Sequence, residues 1–159
     1  MASEAPANDS HALSIAVISD THNTLPEIVS ERIKHADEIW HLGDLSNEQV
    51  YRELSELGPQ LQIVQGNTDP ANRWPSRLML NRYGHYFYLQ HYPHSLSRTS
   101  KGNFLHGHLH IPIDERFEGG RILSPGAING PRQGSLAGFA WIRFNHQKTW
   151  TWSREIIDF

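Results

Sequence analysis

At 159 residues the chain has the length of one domain able to bury a real core. A formal net charge of -3 argues against nonspecific nucleic-acid binding as its main task, and with no cysteine it has no disulfide framework, thiolate metal site or cysteine nucleophile. No apolar run is long enough to cross a bilayer as a helix, so a cytoplasmic protein without a membrane partner is expected.

In chain order, residues 1–10 are small and polar and lack the basic-then-apolar order of a secretion signal, which predicts a loose tail before a single domain over 11–159. Residues 14–19 read as a buried strand, β-branched and continuous. A helix follows, with Thr24 as N-cap, Pro26 in its first turn and Glu27 completing a capping box; Leu25, Ile28, Val29 and Ile33 keep helical spacing. Residues 38–41 form a second strand closed by Gly43-Asp44. Ser46 and Gln49 make another capping box, opening a helix through Val50, Leu54 and Leu57 that stops at Gly58-Pro59. A third strand at 61–65 runs into Gly66-Asn67-Thr68-Asp69. This β-α-β-α-β order implies parallel strands joined by right-handed crossovers.

After Trp74-Pro75 the pattern becomes β-rich. Strands are predicted at 77–82, 85–91, 103–106, 113–118, 121–123, 138–144 and 149–157, with a short helix near 95–100. Turns fall at Tyr83-Gly84, at 118–121 and at 145–148. The fold class is therefore α/β: a sandwich of two packed mixed β-sheets flanked by helices, in four layers α/β/β/α.

Eleven histidines are many for such a chain, and the imidazole is the commonest side-chain metal ligand. Asp20-Thr21-His22 and Gly107-His108-Leu109-His110 each place two ligand types at i and i+2, which on an extended segment share one side of the backbone. Asp44 follows the second strand, Asn67 the third, and His91 ends a later one. Sites in open parallel sheets form beyond the carboxyl ends of the strands, so these loops meet at one edge. The set is two carboxylates, one amide and four imidazoles, more than one ion needs and enough for two sharing a bridge. Mixed N and O donors without sulfur suit Mn²⁺, with Zn²⁺, Fe and Ni²⁺ as alternatives, better than Ca²⁺. Two such ions about 3.5–4 Å apart are the apparatus of phosphoester hydrolysis.

The ordered series Asp20-x-His22, Gly43-Asp44, Gly66-Asn67-x-Asp69, His91 and Gly107-His108-x-His110 resembles the calcineurin-like metallophosphoesterases over residues 15–126. The shortness of the chain is similar to the small bacterial and archaeal phosphodiesterase branch, which also contains the retromer scaffold subunit. The resemblance implies that Asp20, His22, Asp44 and His110 hold one divalent ion, and that Asp44 bridges to a second held by Asn67, His91 and His108. Ser124-Pro125-Gly126-Ala127 resembles the family's Asn-Pro-Gly-Ser segment. Two positions depart from the pattern. Thr68 stands where larger relatives carry a histidine that protonates the leaving group. His91-Tyr92-Pro93-His94 replaces the usual His-Gly-His, with a stiffer backbone and His94 as a displaced imidazole.

The expected activity is hydrolysis of a small phosphodiester by a metal-bridging hydroxide, with both ions and Asn67 stabilising the developing charge. Asn67, Asp44 and His94 are the candidate catalytic residues, His94 as a leaving-group acid. The alternatives are a catalytically weak metal-binding scaffold of the same fold, which would be free to lose ligands that are all present here, and a phosphomonoesterase, which Thr68 and the short chain disfavour. A homo-oligomer is compatible with exposed aromatics such as Trp74. His41 and His106 read as core or supporting residues, and His11, His35, His85 and His146 as surface or turn residues. Tyr83, His85, Tyr86, Phe87 and Tyr88 read as sheet packing rather than a base-stacking platform, while Arg73, Arg77, Arg98 and Arg132 flank the motif loops.

Overall fold

Apolar runs and alternating segments assemble into two five-stranded sheets in the computed structural model of the protein, which describes residues 11–158. The expected N-terminal tail lies outside these residues. The elements are β1 (Leu13–Ile18), α1 (Glu27–Ile33), β2 (Glu38–His41), α2 (Glu48–Glu56), β3 (Gln60–Ile63), β4 (Arg77–Arg82), β5 (His85–Gln90), β6 (Gly102–Leu105), β7 (Pro112–Phe117), β8 (Gly120–Pro125), β9 (Gly138–Phe144) and β10 (Trp150–Ile156). The first sheet runs β10-β9-β1-β2-β3, with β1, β2 and β3 parallel and β9 and β10 antiparallel. The second runs β4-β5-β6-β8-β7, parallel at its centre and antiparallel at both edges.

The continuous apolar character of β1 has a simple cause: both of its faces are covered. Ile15 and Val17, with Trp40, Leu42 and Val64, face Phe87, Leu89, Leu105 and Leu123 of the second sheet. Ala16 and Ile18, with Ile39, instead meet Val29 and Ile33 of α1 and Val50 and Leu54 of α2. Both helices therefore cover the outer face of the first sheet. Over the outer face of the second sheet, residues 91–101 run as a loop against Tyr88 and Phe104, with His94 edge-on to Phe104 at 5.2 Å. The helical layer expected there is absent among the described residues. No described helix is long and apolar enough to cross a membrane.

Three local expectations are corrected. The residue before α1 is Pro26, not Thr24, and it makes no side-chain cap bond because its ring carries no acceptor; Thr24 lies in the preceding turn, where Asn23 has φ 67° and Thr24 N–H donates to Thr21 O. Asn47, not Ser46, caps α2, accepting from Val50 N–H at 3.0 Å. The segment near 95–100 is not helical, since Ser97, Thr99 and Ser100 bond one another and nearby backbone, which competes with helix formation.

Topology places the chemistry. Parallel strands β1, β2 and β3 of one sheet and β5, β6 and β8 of the other all end at the same edge of the sandwich. Asp20, Asp44, Asn67, His91 and His108 lie in the segments just beyond those ends.

Candidate metal centre

The i, i+2 pairs converge by a route different from the one expected. Neither pair is extended: Asp20 (φ 56°), His22 (41°), His108 (70°) and His110 (61°) all occupy the left-handed region, as does Asp44 (66°). That region is costly for residues with a Cβ, and such outliers gather where a site requires them. Two carboxylates are fixed by one oxygen and offer the other. Asp20 Oδ2 accepts from Ser19 Oγ at 2.5 Å and His108 N–H at 3.2 Å. Asp44 Oδ1 accepts from Thr68 N–H at 2.9 Å. Glycines let these loops touch, because a Cβ at Gly66 would overlap Asp44 and one at Gly107 would overlap Ser19 Oγ.

The free carboxylate oxygens face imidazole nitrogens. His110 Nε2 lies 3.2 Å and His22 Nε2 3.6 Å from Asp20 Oδ1, and the two nitrogens are 3.3 Å apart. Asp44 Oδ2 is 3.5 Å from His22 Nε2 and 3.4 Å from His91 Nε2, so one oxygen faces both halves of the cluster. Asn67 Oδ1 stands 2.9 Å from His91 Nε2 and 3.2 Å from His108 Nδ1. All seven expected ligands thus come together, His110 beside Asp20 and His22, and His108 beside Asn67 and His91. His94 does not join them; its Nε2 meets Leu105 O at 2.9 Å.

The residues fit divalent ions on three counts. Asp20 Oδ1 is buried yet receives no hydrogen bond, since the nearby imidazole nitrogens are not aimed at it as donors. An orphaned buried oxygen is rare and calls for a partner. His91 Nδ1 lies 2.8 Å from Leu42 O and His110 Nδ1 2.7 Å from Gly130 O. A carbonyl only accepts, so each Nδ1 carries the proton and each Nε2 presents its lone pair, the arrangement that orients metal-binding histidines. Finally, the acid–base state is suited to cations. Burial alone would raise the Asp20 and Asp44 carboxyls. With no ion bound, imidazoles that carry a proton at Nε2 overturn it, His110 and His22 with Ser19 for Asp20 and His91 with Thr68 N–H for Asp44, and both stay below the usual carboxylate range; a cation replaces that proton.

Two supporting residues complete the centre. Asp69, buried, accepts from Asp44 N–H at 2.9 Å, Ser46 N–H at 2.8 Å and Gly66 N–H at 2.8 Å, locking the two ligand loops together. Its position in the Gly66-Asn67-x-Asp69 series was the only sequence signal for it. His41, fully buried, accepts Gly43 N–H at Nδ1 (3.0 Å), so its Nε2–H donates to Thr21 Oγ1 at 3.0 Å. Burial pushes its pKa down from 6.5 to about 4. Between these values the unfolded chain binds a proton that the native state refuses, so stability should rise with pH across this window and fall as pH drops through it. The expected loss is about 3 kcal/mol at 1.36 kcal/mol per unit. Urea unfolding in chelator from pH 7 to pH 4 should show it, and His41→Asn should flatten the dependence. An unchanged slope in that variant would contradict a neutral buried His41.

A two-sheet sandwich with carboxylates, imidazoles and an amide gathered beyond its parallel strands defines a class of metal-binding fold. The sequence profile of the calcineurin-like phosphoesterase superfamily domain matches residues 13–147, and the chain belongs to that metal-dependent superfamily. A probable metallophosphoesterase of Methanothermobacter thermautotrophicus is 40% identical over 60 residues, which take in 35% of this chain and 34% of that protein's length. A novel archaeal phosphodiesterase superposes with TM-score 0.75 at 18% identity, over 91% of this chain and 100% of the other. YfcE, a phosphoesterase from E. coli, gives 0.72 at 20%, covering 92% and 100%. Vps29 from Entamoeba histolytica complexed with zinc gives 0.68 at 15%, also covering 92% and 100%. At these identities the likeness is one of fold.

Proposed function

We propose that this chain is a phosphodiesterase that works with two divalent ions, one held by Asp20, His22 and His110 and the other by Asn67, His91 and His108, with Asp44 shared. The observation that carries the reading is Asp44 Oδ2, which faces His22 Nε2 at 3.5 Å and His91 Nε2 at 3.4 Å. An acceptor oxygen between two ligand sets is the requirement of a bridging carboxylate. Ions bound there supply Lewis-acid polarisation of phosphoryl oxygens and lower the pKa of water. The oxygen and nitrogen donors favour Mn²⁺, with Zn²⁺, Fe and Ni²⁺ also accommodated.

The chain's own residues limit the reaction. Asn67, exposed at the mouth of the cluster, has an amide able to meet charge developing on phosphoryl oxygens. Thr68 Oγ1 is paired with Ser46 Oγ at 2.8 Å, and His94 spends its Nε2–H on Leu105 O while burial lowers its pKa. Thr68, an alcohol, is too weak an acid to protonate a leaving oxygen and His94 has its proton engaged, which favours esters whose leaving group is stable as an anion. The similarity to the archaeal phosphodiesterase supports a diester substrate.

Loaded with Mn²⁺, the protein should bind two ions per chain by elemental analysis and cleave bis(4-nitrophenyl) phosphate faster than 4-nitrophenyl phosphate. Chelation should stop both reactions. A single ion per chain, or a preference for the monoester, would overturn the proposal. The likeness to Vps29 gives a scaffold reading some support, and two bound ions without hydrolysis of any diester would favour it.

A further inference from the structure

Two exposed apolar side chains border the metal centre on its His108 side. Tyr92 is 50% exposed and Leu109, between His108 and His110, is 37% exposed. The Tyr92 ring lies 4.6 Å from the His108 ring and edge-on to His91 at 5.3 Å. The Tyr92 backbone is held: Gln90 Nε2 donates to Tyr92 O at 2.9 Å and to Pro93 O at 3.1 Å, and Pro93 fixes the following φ. This is the stretch where the sequence departs from the family pattern, exchanging the glycine for tyrosine. An aromatic ring packed against two imidazoles at the lip of a polar cleft can stack on a second ring at reduced ordering cost.

The state of the two expected proton donors points the same way. Thr68 and His94 are both engaged elsewhere, so a leaving oxygen that spreads its charge into an attached ring suits this site better than an alkoxide. We infer that the cleft selects aryl phosphodiesters, with Tyr92 as the stacking platform for the ester's ring. The inference rests on the phosphodiesterase reading and supplies its substrate class.

Binding separates the two claims. Calorimetric titration of the Mn²⁺-loaded protein with phenylphosphonate and methylphosphonate compares a ring with a methyl on the same phosphoryl group. The wild type should bind the phenyl compound about tenfold more tightly, within the range for ring stacking. Tyr92→Ala should bring the two to equal affinity, and Tyr92→Trp should restore the preference, with methylphosphonate affinity unchanged throughout. A phenyl preference that survives Tyr92→Ala, or is missing from the wild type, overturns the inference. So does a parallel loss of methylphosphonate binding in Tyr92→Ala, which would make Tyr92 a prop for His108. If the Tyr92-dependent gain appears with adenosine 5′-monophosphate and not with phenylphosphonate, the ring is a nucleobase and the aryl assignment is wrong. Failure of the Mn²⁺-loaded wild type to bind either phosphonate removes the phosphodiesterase reading itself, and this inference with it.

Discussion

Asp44→Asn should reduce hydrolysis of bis(4-nitrophenyl) phosphate about a thousandfold, the scale of removing a principal electrostatic element from a hydrolytic site. The substitution is nearly isosteric and can keep its acceptor for Thr68 N–H, now 2.9 Å from Oδ1. What changes is the other arm. An NH₂ group would then stand where Oδ2 faces His22 at 3.5 Å and His91 at 3.4 Å, with donors and no lone pair for a cation. Elemental analysis should show fewer than two Mn²⁺ per chain, while the circular dichroism spectrum stays that of the wild type. Activity within twofold of the wild type would remove Asp44 from the centre.

Asp69→Ala should produce the largest loss of stability of any single change at the site, about 4 kcal/mol. The carboxylate accepts three N–H groups, from Asp44, Ser46 and Gly66. Leaving buried donors unpaired costs about 1–3 kcal/mol each, with some regained where water enters. For a chain of this size that is a fall in Tm on the order of 10 °C. Metal affinity should weaken about 10- to 100-fold, as when a group that orients ligands is removed. Asp69→Asn, which keeps one acceptor oxygen, should lie between alanine and wild type. Thermal melts in chelator and Mn²⁺ titrations test the two effects separately; a variant that loses neither would leave the Asp44 and Gly66 loops held by something else.

Much of the cluster could be read from residue types because the parallel β-α-β-α-β half delivers its loops to one edge by geometry alone. Asp20, His22, Asp44 and Asn67 follow β1, β2 and β3 as expected, and His91 and His108 arrive from the second sheet at the same edge. The mode of convergence was not legible. The i, i+2 spacing suggested strands, whereas left-handed backbone at Asp20, His22, His108 and His110 turns the side chains together. Aspartate and histidine visit that conformation more often than most residues with a Cβ, but only in a small minority of cases, so the residue types alone do not announce it. Asp69 was hidden for another reason: its partners are backbone N–H groups, which leave no complementary residue to find in the sequence. The start of α1 was missed because the capping position falls to Pro26, which has no side-chain acceptor, and the loop over Phe104 because short polar side chains there bond backbone locally and outcompete helical turns.

The left-handed ligands have an evolutionary consequence. At Asp20, His22, Asp44, His108 and His110 the backbone adopts φ values of 41° to 70°, for which glycine or asparagine is the more comfortable tenant. Foldedness alone would therefore be served at least as well by glycine or asparagine at five places within one small cluster. In a lineage released from hydrolysis, these residues would drift first and in a recognisable direction, toward glycine and asparagine.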